Sequence, residues 1–280
     1  MLLGVHVSIA GGIAEAVVRA VKLGCTAIQI FPRDPRQWRK KEVSAEQITE
    51  FRKRLKASPI KKVFLHQPYL INLASGYNIL YRGSVWACIQ DIKLAAELTA
   101  DFIVVHMGSH KGISQQEGLR RIIDAVNKIL DKTRDFSVGI LLENTSGSGS
   151  WLGYKFEHQQ IVLQNVEQKN RLGFCLDTCH AYTAGYDLST EGGYNQSMLQ
   201  IEETVGLERI RLVHLNDSPD KLGSRRDRHQ HIGKGRIGLG GFSRLVNDHR
   251  LKDAAFILET PKDSRLADKK NLQLVKQLLR

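Results

Sequence analysis

The sequence of 280 residues lacks several features that define other classes of protein. It has no run of about 18 apolar residues, so we expect no membrane-spanning helix and no membrane partner. Its first residues have neither a basic region nor a long apolar stretch, so we expect no signal peptide. No low-complexity tract or linker divides the chain, which favours a single domain over residues 1–280.

Cysteine is scarce, and the four cysteines, Cys25, Cys88, Cys175 and Cys179, show no repeated spacing. This pattern argues against both a disulfide framework and a zinc ribbon. Cys175 and Cys179 flank Asp177 and are chemically able to bind a metal, but we expect them to be reduced, buried thiols. Reduced thiols are typical of a cytoplasmic protein, and this is the localisation that we expect.

Acidic residues are fewer than basic ones, 29 against 41, which gives a formal net charge of +12 at pH 7. Such a balance favours a polyanionic partner such as nucleic acid. The alternative is a basic protein whose charges are simply solvated. Hydrophobic residues make up 42% of the chain, enough for a sizeable core.

Several short apolar runs end in a side chain of a type that binds metals. The clearest run ends in Asp177 and is followed one turn later by His180, a pair suited to zinc or a similar ion. The other runs end at His66, His106, Glu143, His214 and Glu259, and the six ends are about 34 to 45 residues apart, the length of one strand-plus-helix unit. Any single run is compatible with a buried, hydrogen-bonded side chain. Six runs that end in such side chains at similar intervals favour a shared site.

Eight predicted strands alternate with helices. Strands are predicted at 2–7 and 26–31, and six more end at 66, 106, 143, 177, 214 and 259. Helices are predicted at about 11–23, 44–57, 78–99, 114–132, 157–167, 195–205 and 240–248 and at the end of the chain, whereas 32–38 and 182–187 are predicted loops. This alternation predicts the α/β class and a single TIM (β/α)8 barrel, with the metal site at the C-terminal face of the strands.

The candidate metal ligands number nine: His66, His106, Glu143, Asp177, His180, His214, Asp227, His229 and Glu259. Asp227 and His229 are two apart, so on an extended chain they point the same way. With His180 they form a two-histidine, one-carboxylate set, which is usual for a catalytic zinc with an open position. The other six are too many for one tetrahedral ion, so two further ions are expected. Paired metals stabilise the attacking and the leaving oxygen of phosphoryl displacement. His6 ends the first strand at the same face, and both a role at the site and a structural role remain open for it.

Eight short motifs now make the chain recognisable. They are HVSIAGG at 6–12, PRQW at 35–38, YLINLAS at 69–75, LENT at 142–145, LDTCHA at 176–181, VHLNDS at 213–218, DRH at 227–229 and LET at 258–260. With these motifs the chain resembles the endonuclease IV (deoxyribonuclease IV) family of apurinic/apyrimidinic endonucleases over essentially its whole length.

The resemblance implies three zinc ions held by three sets of ligands. The sets are His66, His106 and Glu143; Glu143, Asp177, His214 and Glu259, with Glu143 bridging the first two ions; and His180, Asp227 and His229. All nine positions carry the residue types of the family. Departures from the family lie outside these sets, at Asp34, Gln67, Lys234 and Arg236, and the last two would strengthen the attraction for phosphate.

The reaction that the resemblance implies is a step of DNA base-excision repair. The phosphodiester bond immediately 5′ to an abasic site in duplex DNA would be hydrolysed, leaving a 3′-hydroxyl and a 5′-deoxyribose phosphate. A zinc-activated hydroxide would attack in line with the leaving 3′-oxygen. Glu143 and Glu259 would be the catalytic residues, with Glu259 orienting the hydroxide. An abasic nucleotide has no base to unstack, so flipping it out of the duplex costs comparatively little.

The resemblance also points to DNA contacts. Arg36, Tyr69 and Leu70 match positions that wedge into the kinked duplex in the family; ordinary loop packing is the alternative. Arg225, Arg226 and Arg228 lie in the longest and most basic loop, together with Lys234 and Arg236. They are either phosphate contacts or part of a solvated basic loop. We expect a monomer that acts on duplex DNA.

Two other functions compete with this interpretation. A metal-dependent sugar isomerase or epimerase on a related TIM barrel needs only one or two metals and a pocket for a small polyol. The additional pair Asp227 and His229 and the net charge of +12 argue against it. A non-catalytic DNA-binding protein has no reason to carry nine metal-binding side chains at strand ends.

Overall fold

A closed barrel of eight parallel strands forms the centre of the protein in a computed structural model, which describes residues 1–34, 38 and 43–280. The strands are β1 (Leu2–His6), β2 (Ala27–Ile30), β3 (Lys62–His66), β4 (Phe102–His106), β5 (Gly139–Glu143), β6 (Leu172–Asp177), β7 (Ile210–Leu215) and β8 (Ala255–Leu258). Each strand pairs with the next in the chain, and β8 pairs with β1. The predicted TIM barrel is therefore confirmed.

Helices surround the barrel. They are α1 (Ala14–Leu23), α2 (Ala45–Lys56), α3 (Asn78–Glu97), α4 (Gln115–Lys132), α5 (Phe156–Asn165), α6 (Thr178–Ala184), α7 (Glu191–Thr204), α8 (Gly238–Val246) and α9 (Ala267–Leu278). Ser44 begins α2 as predicted, because its hydroxyl accepts from the Gln47 amide while the Gln47 side chain accepts from the Ser44 amide. In the part of the chain that the structure describes, no helix combines the length and the apolar character needed to cross a membrane.

Three predicted boundaries were wrong for identifiable reasons. Helix α1 begins at Ala14 rather than near residue 11, because Gly11 and Gly12 have φ values of 82° and 119°, which a right-handed helix excludes. Helix α7 begins at Glu191 rather than near 195, because the Thr190 hydroxyl caps it. The predicted loop 182–187 partly belongs to α6, a seven-residue helix that is too short to show a periodic pattern.

The alternation of side chains along each strand places the candidate ligands. A separate buried cluster fills the inside of the barrel: Ala27, Phe64, Val104, Leu141, Cys175, Leu212, Ala255 and Ile257. Because side chains alternate between the two faces of a strand, the residue two positions later also points inward. For seven of these residues that position holds a polar side chain: Gln29, His66, His106, Glu143, Asp177, His214 and Glu259. The polar layer therefore lies at the C-terminal end of the apolar one.

Candidate metal centre

Glu143 lies at the middle of the polar layer and touches three histidines. Its Oε2 is 3.0 Å from His66 Nε2 and 3.2 Å from His106 Nε2, and its Oε1 is 3.1 Å from His214 Nδ1. Burial alone would raise the pKa of the Glu143 carboxyl, but the charges of His106 and His214 hold it well below its ordinary value. The buried group is thus a carboxylate with both oxygens facing possible metal ligands, which is the arrangement that a bridging ligand needs.

His214 is surrounded by three carboxylates. Its Nδ1 lies 3.1 Å from Glu143 Oε1, 3.3 Å from Glu259 Oε2 and 3.8 Å from Asp177 Oδ2. These are the four residues of the second ligand set suggested by the sequence. Such a concentration of buried negative charge is unfavourable unless cations compensate it, and divalent ions would do so.

The third set is His180, Asp227 and His229. Asp227 Oδ1 lies 3.1 Å from His180 Nε2 and 3.6 Å from His229 Nε2. The two rings are largely buried, whereas the Asp227 side chain is 55% exposed. This set therefore opens toward solvent, as a site that exchanges water or substrate requires.

The hydrogen bonds of the rings fit metal binding. In three histidines the Nδ1 nitrogen pairs with a backbone carbonyl: His66 with Gln67 at 2.8 Å, His180 with Asn144 at 3.0 Å and His229 with Glu259 at 3.1 Å. A carbonyl only accepts, so Nδ1 carries a proton and Nε2 is the nitrogen left to bind a metal beside the carboxylates. Among the described residues, Nε2 of His180 and of His229 is buried without a hydrogen-bond partner. Buried ring nitrogens without a hydrogen-bond partner that converge beside carboxylates are what a metal ion would satisfy.

The cysteines behave as expected from the sequence. All four are free and buried. Cys175 lies beside Glu143 and His214, and Cys179 lies beside Asp177 and His229. Burial raises the pKa of both thiols to about 12, which disfavours the thiolate form that binds metals. The Cys179 thiol instead donates to the Arg228 carbonyl at 3.2 Å.

The candidate DNA contacts that the structure describes lie around the mouth of the barrel. Tyr69 is 62% exposed, and its ring meets Phe31 edge-on at 5.7 Å. Leu70 is half-buried, and Arg36 lies outside the described residues. A cavity of about 1060 Å³ runs between the loops after β1, β2 and β8 and is lined by Tyr69, His229 and other residues. It brings Tyr69 of the candidate wedge and His229 of the third ligand set to one groove.

Arg225, Arg226 and Arg228 are exposed on the loop after β7. The Arg225 guanidinium lies 4.7 Å from the centre of the Tyr154 ring, a cation–π contact to the loop after β5, and its backbone has a φ of 56°. Arg226 Nη1 is 3.3 Å from Asp220 Oδ1. Arg228 has no ion pair among the described residues. The loop thus offers positive charge at the rim, partly held in place by neighbours.

Two supporting amides escaped the interpretation of the sequence. Asn216 donates to Asp177 Oδ2 at 2.6 Å and accepts from the Glu259 amide at 3.0 Å. Gln29 donates to Glu259 Oε1 at 2.6 Å, and His6 Nδ1 lies 3.0 Å from the same oxygen, so His6 contacts a candidate ligand. Gln29 was recognisable as the one polar residue in the apolar strand β2, at an inward position.

Comparison with known proteins agrees with this geometry. The model of the family described as xylose isomerase-like TIM barrel matches residues 17–280. A protein of Chloroflexus aurantiacus named "Probable endonuclease 4" is 41% identical over 277 residues, which are 99% of this chain and 97% of that protein. The crystal structure of endonuclease IV from Thermus thermophilus superposes with a TM-score of 0.89 at 38% identity, covering 99% of this chain and 98% of that one. A D-tagatose 3-epimerase-like protein shares the fold alone, with a TM-score of 0.76 at 20% identity over 99% of this chain and 97% of that one.

Proposed function

Because the chain belongs to the endonuclease IV family of nucleases, we propose that it hydrolyses the phosphodiester bond immediately 5′ to an abasic site in duplex DNA. The products would be a 3′-hydroxyl and a 5′-deoxyribose phosphate. The observation that supports this most is the convergence of nine carboxylate and imidazole groups at one face of the barrel. They come from the ends of β3 to β7, the residue after β8, helix α6 and the loop after β7. A cluster of that size suits the charge of a phosphodiester better than a neutral sugar.

Three zinc ions are proposed for the three ligand sets. The first set is His66, His106 and Glu143; the second is Glu143, Asp177, His214 and Glu259; the third is His180, Asp227 and His229. When bound, the ions would supply a nucleophile from water at neutral pH and neutralise the charge that develops on the phosphate. Carboxylates and imidazoles with free lone pairs are suitable zinc ligands.

We propose that Glu259 orients the attacking water. Its Oε1 is engaged by Gln29 and His6, so Oε2, which lies 3.3 Å from His214 Nδ1, is the oxygen that faces the ligand cluster. The same oxygen would contact the metal and accept from the water bound beside it. Burial would raise the pKa of Glu259, but the charge of His214 and the hydrogen bond of His6 hold it well below its ordinary value. At neutral pH Glu259 is therefore a carboxylate that accepts a hydrogen bond and aligns the water, rather than a general base that takes up the proton of the water.

A mapped cleavage assay tests the function. We expect a duplex with one stable abasic analogue to be cut once, directly 5′ to the lesion, and a DNA polymerase to extend the new 3′ end. The same duplex with a normal nucleotide is the control. Free ketohexoses are assayed in parallel. If the protein converts the sugars and does not cleave DNA, the proposed nuclease function is wrong and the protein is an epimerase.

Tyr69→Ala should weaken the preference for abasic over intact duplex by about 10-fold or more, since an inserted aromatic ring contributes about 1–3 kcal/mol by stacking. The cleavage rate at saturating DNA should change less. Affinity is measured by fluorescence anisotropy with an uncleavable abasic duplex, and kinking by energy transfer between its ends. Trp86→Ala removes a ring of similar exposure, 60%, from the outer face of α3 and is the matched control. Unchanged preference and kinking in Tyr69→Ala would contradict the wedge.

Arg228→Ala should weaken binding to abasic and intact duplex alike. It should also lower the slope of log affinity against log salt by about 1, because one phosphate contact fewer releases less counterion. Arg134→Ala, at the opposite end of the barrel and also exposed, should leave the slope unchanged. Equal slopes for Arg228→Ala and the unaltered protein would show that this loop is only solvated.

A further inference from the structure

Gln29 forms hydrogen bonds with two of the proposed ligands, Glu259 and His214. It is fully buried on β2 and points into the barrel. Its Nε2 is 2.6 Å from Glu259 Oε1, and its Oε1 is 2.8 Å from His214 Nε2. The amide thus joins residues at the ends of β7 and β8, on the side of each that faces away from the other ligands.

The chemistry of these partners determines the orientation of the amide. Glu259 is a carboxylate and can only accept, so the amide nitrogen of Gln29 must face it. In the reversed orientation two oxygens would lie 2.6 Å apart in a buried place, which electrostatics strongly disfavours. The amide oxygen of Gln29 therefore faces His214.

That orientation selects the tautomer of His214. The Gln29 oxygen cannot donate, so His214 Nε2 carries a proton, and Nδ1 is the nitrogen left to bind a metal. Nδ1 is the nitrogen that faces Glu143 and Glu259. Backbone carbonyls orient three other rings in the same way, those of His66, His180 and His229. In these rings the carbonyl accepts from Nδ1, and Nε2 is the nitrogen that faces the site. His214 alone among these four histidines depends on a side chain, which mutagenesis can remove.

We propose that Gln29 is a positioning residue of the metal centre: it presents Nδ1 of His214 and Oε2 of Glu259 to the same metal. The inference deepens the proposed function and rests on it. His6 assists from β1, where it lies opposite Gln29 in the sheet and adds a second contact to Glu259 Oε1. Because Gln29 is fully buried, it cannot touch DNA.

The test is the zinc affinity of Gln29→Met and Gln29→Ala, measured without DNA by competition with a chromophoric chelator. We expect one ion to bind about 10- to 100-fold more weakly in both, as is typical when the outer partner of a ligand is lost. Methionine fills the space of glutamine and alanine leaves a cavity, so their effects on folding differ while their effects on zinc should agree. For cleavage, kcat should fall and KM for abasic duplex should stay the same.

Gln159→Met is the matched control. Gln159 is also a fully buried amide, but among the described residues its Nε2 donates to the Gly153 carbonyl alone, at 2.9 Å. Its zinc affinity should equal that of the unaltered protein. Unchanged zinc affinity in Gln29→Met, or failure of both Gln29 variants to fold, would overturn the proposal and assign Gln29 to fold stability.

The proposed function and this inference fail separately. If the unaltered protein binds zinc but leaves abasic DNA intact, the function is wrong, while the zinc affinities still decide the role of Gln29. If the unaltered protein cuts abasic DNA and Gln29→Met binds zinc normally, only the positioning role is wrong.

Discussion

Glu143→Ala should lower the rate of cleavage at an abasic site by more than about 100-fold, because the loss of an outer partner alone typically costs 10- to 100-fold. One carboxylate contacts His66, His106 and His214, so its removal affects two of the proposed metal positions at once. The rate is measured at saturating abasic duplex, together with zinc content. Zinc content should fall from three ions toward the single ion of the third set.

Two controls make this expectation specific. Asp227→Ala removes a ligand of the third set only and should cost one ion while the others stay bound. Glu157→Gln changes an exposed carboxylate on α5 and should alter neither zinc content nor rate. Near-normal cleavage by Glu143→Ala, with the full complement of zinc, would refute the bridging role.

Asp91→Ala should destabilise the protein by about 3–5 kcal/mol, the usual effect of leaving a buried charge without its partner. Asp91 on α3 is fully buried and forms an ion pair with Arg33, which is 5% exposed and follows β2. The pair anchors the segment that directly follows β2. The free energy of unfolding is measured by urea denaturation monitored by circular dichroism.

An exposed ion pair provides the comparison. Glu117 and Arg120 form one on the surface of α4, and Glu117→Ala should leave the free energy of unfolding nearly unchanged, because solvent screens such pairs. If Asp91→Ala were as mild as Glu117→Ala, the buried pair would have no anchoring role.

Six of the candidate ligands were predictable because strand geometry places them. A buried parallel strand is an apolar run, and its last inward position at the C-terminal end faces the mouth of the barrel. His66, His106 and Glu143 follow this rule. The sequence therefore indicated which side chains form the polar layer at the mouth of the barrel, because each of them follows an apolar run. No distance between atoms was needed for this.

The remaining features depend on the folded chain. Residue types grouped Asp227 with His180, but their distance of 3.1 Å spans 47 positions that include α7 and β7, and local periodicity contains no such distance. Helix α6 was missed because Asp177 caps it and Gly185 ends it within seven residues. Gln29 was overlooked because its strand was classified by its apolar neighbours. Its partners, His214 and Glu259, become apparent only when the barrel closes.

Cleavage of a labelled abasic duplex before metal removal, after it and after zinc is restored tests the central claim most directly. We expect a single cut 5′ to the lesion by the zinc-loaded protein, its loss when a chelator strips the metal, and its return when zinc is added. An undamaged duplex should remain intact throughout. Equal cleavage by stripped and loaded protein would contradict the role of the nine ligands, and an uncut abasic strand with fully loaded protein would contradict the proposed function itself.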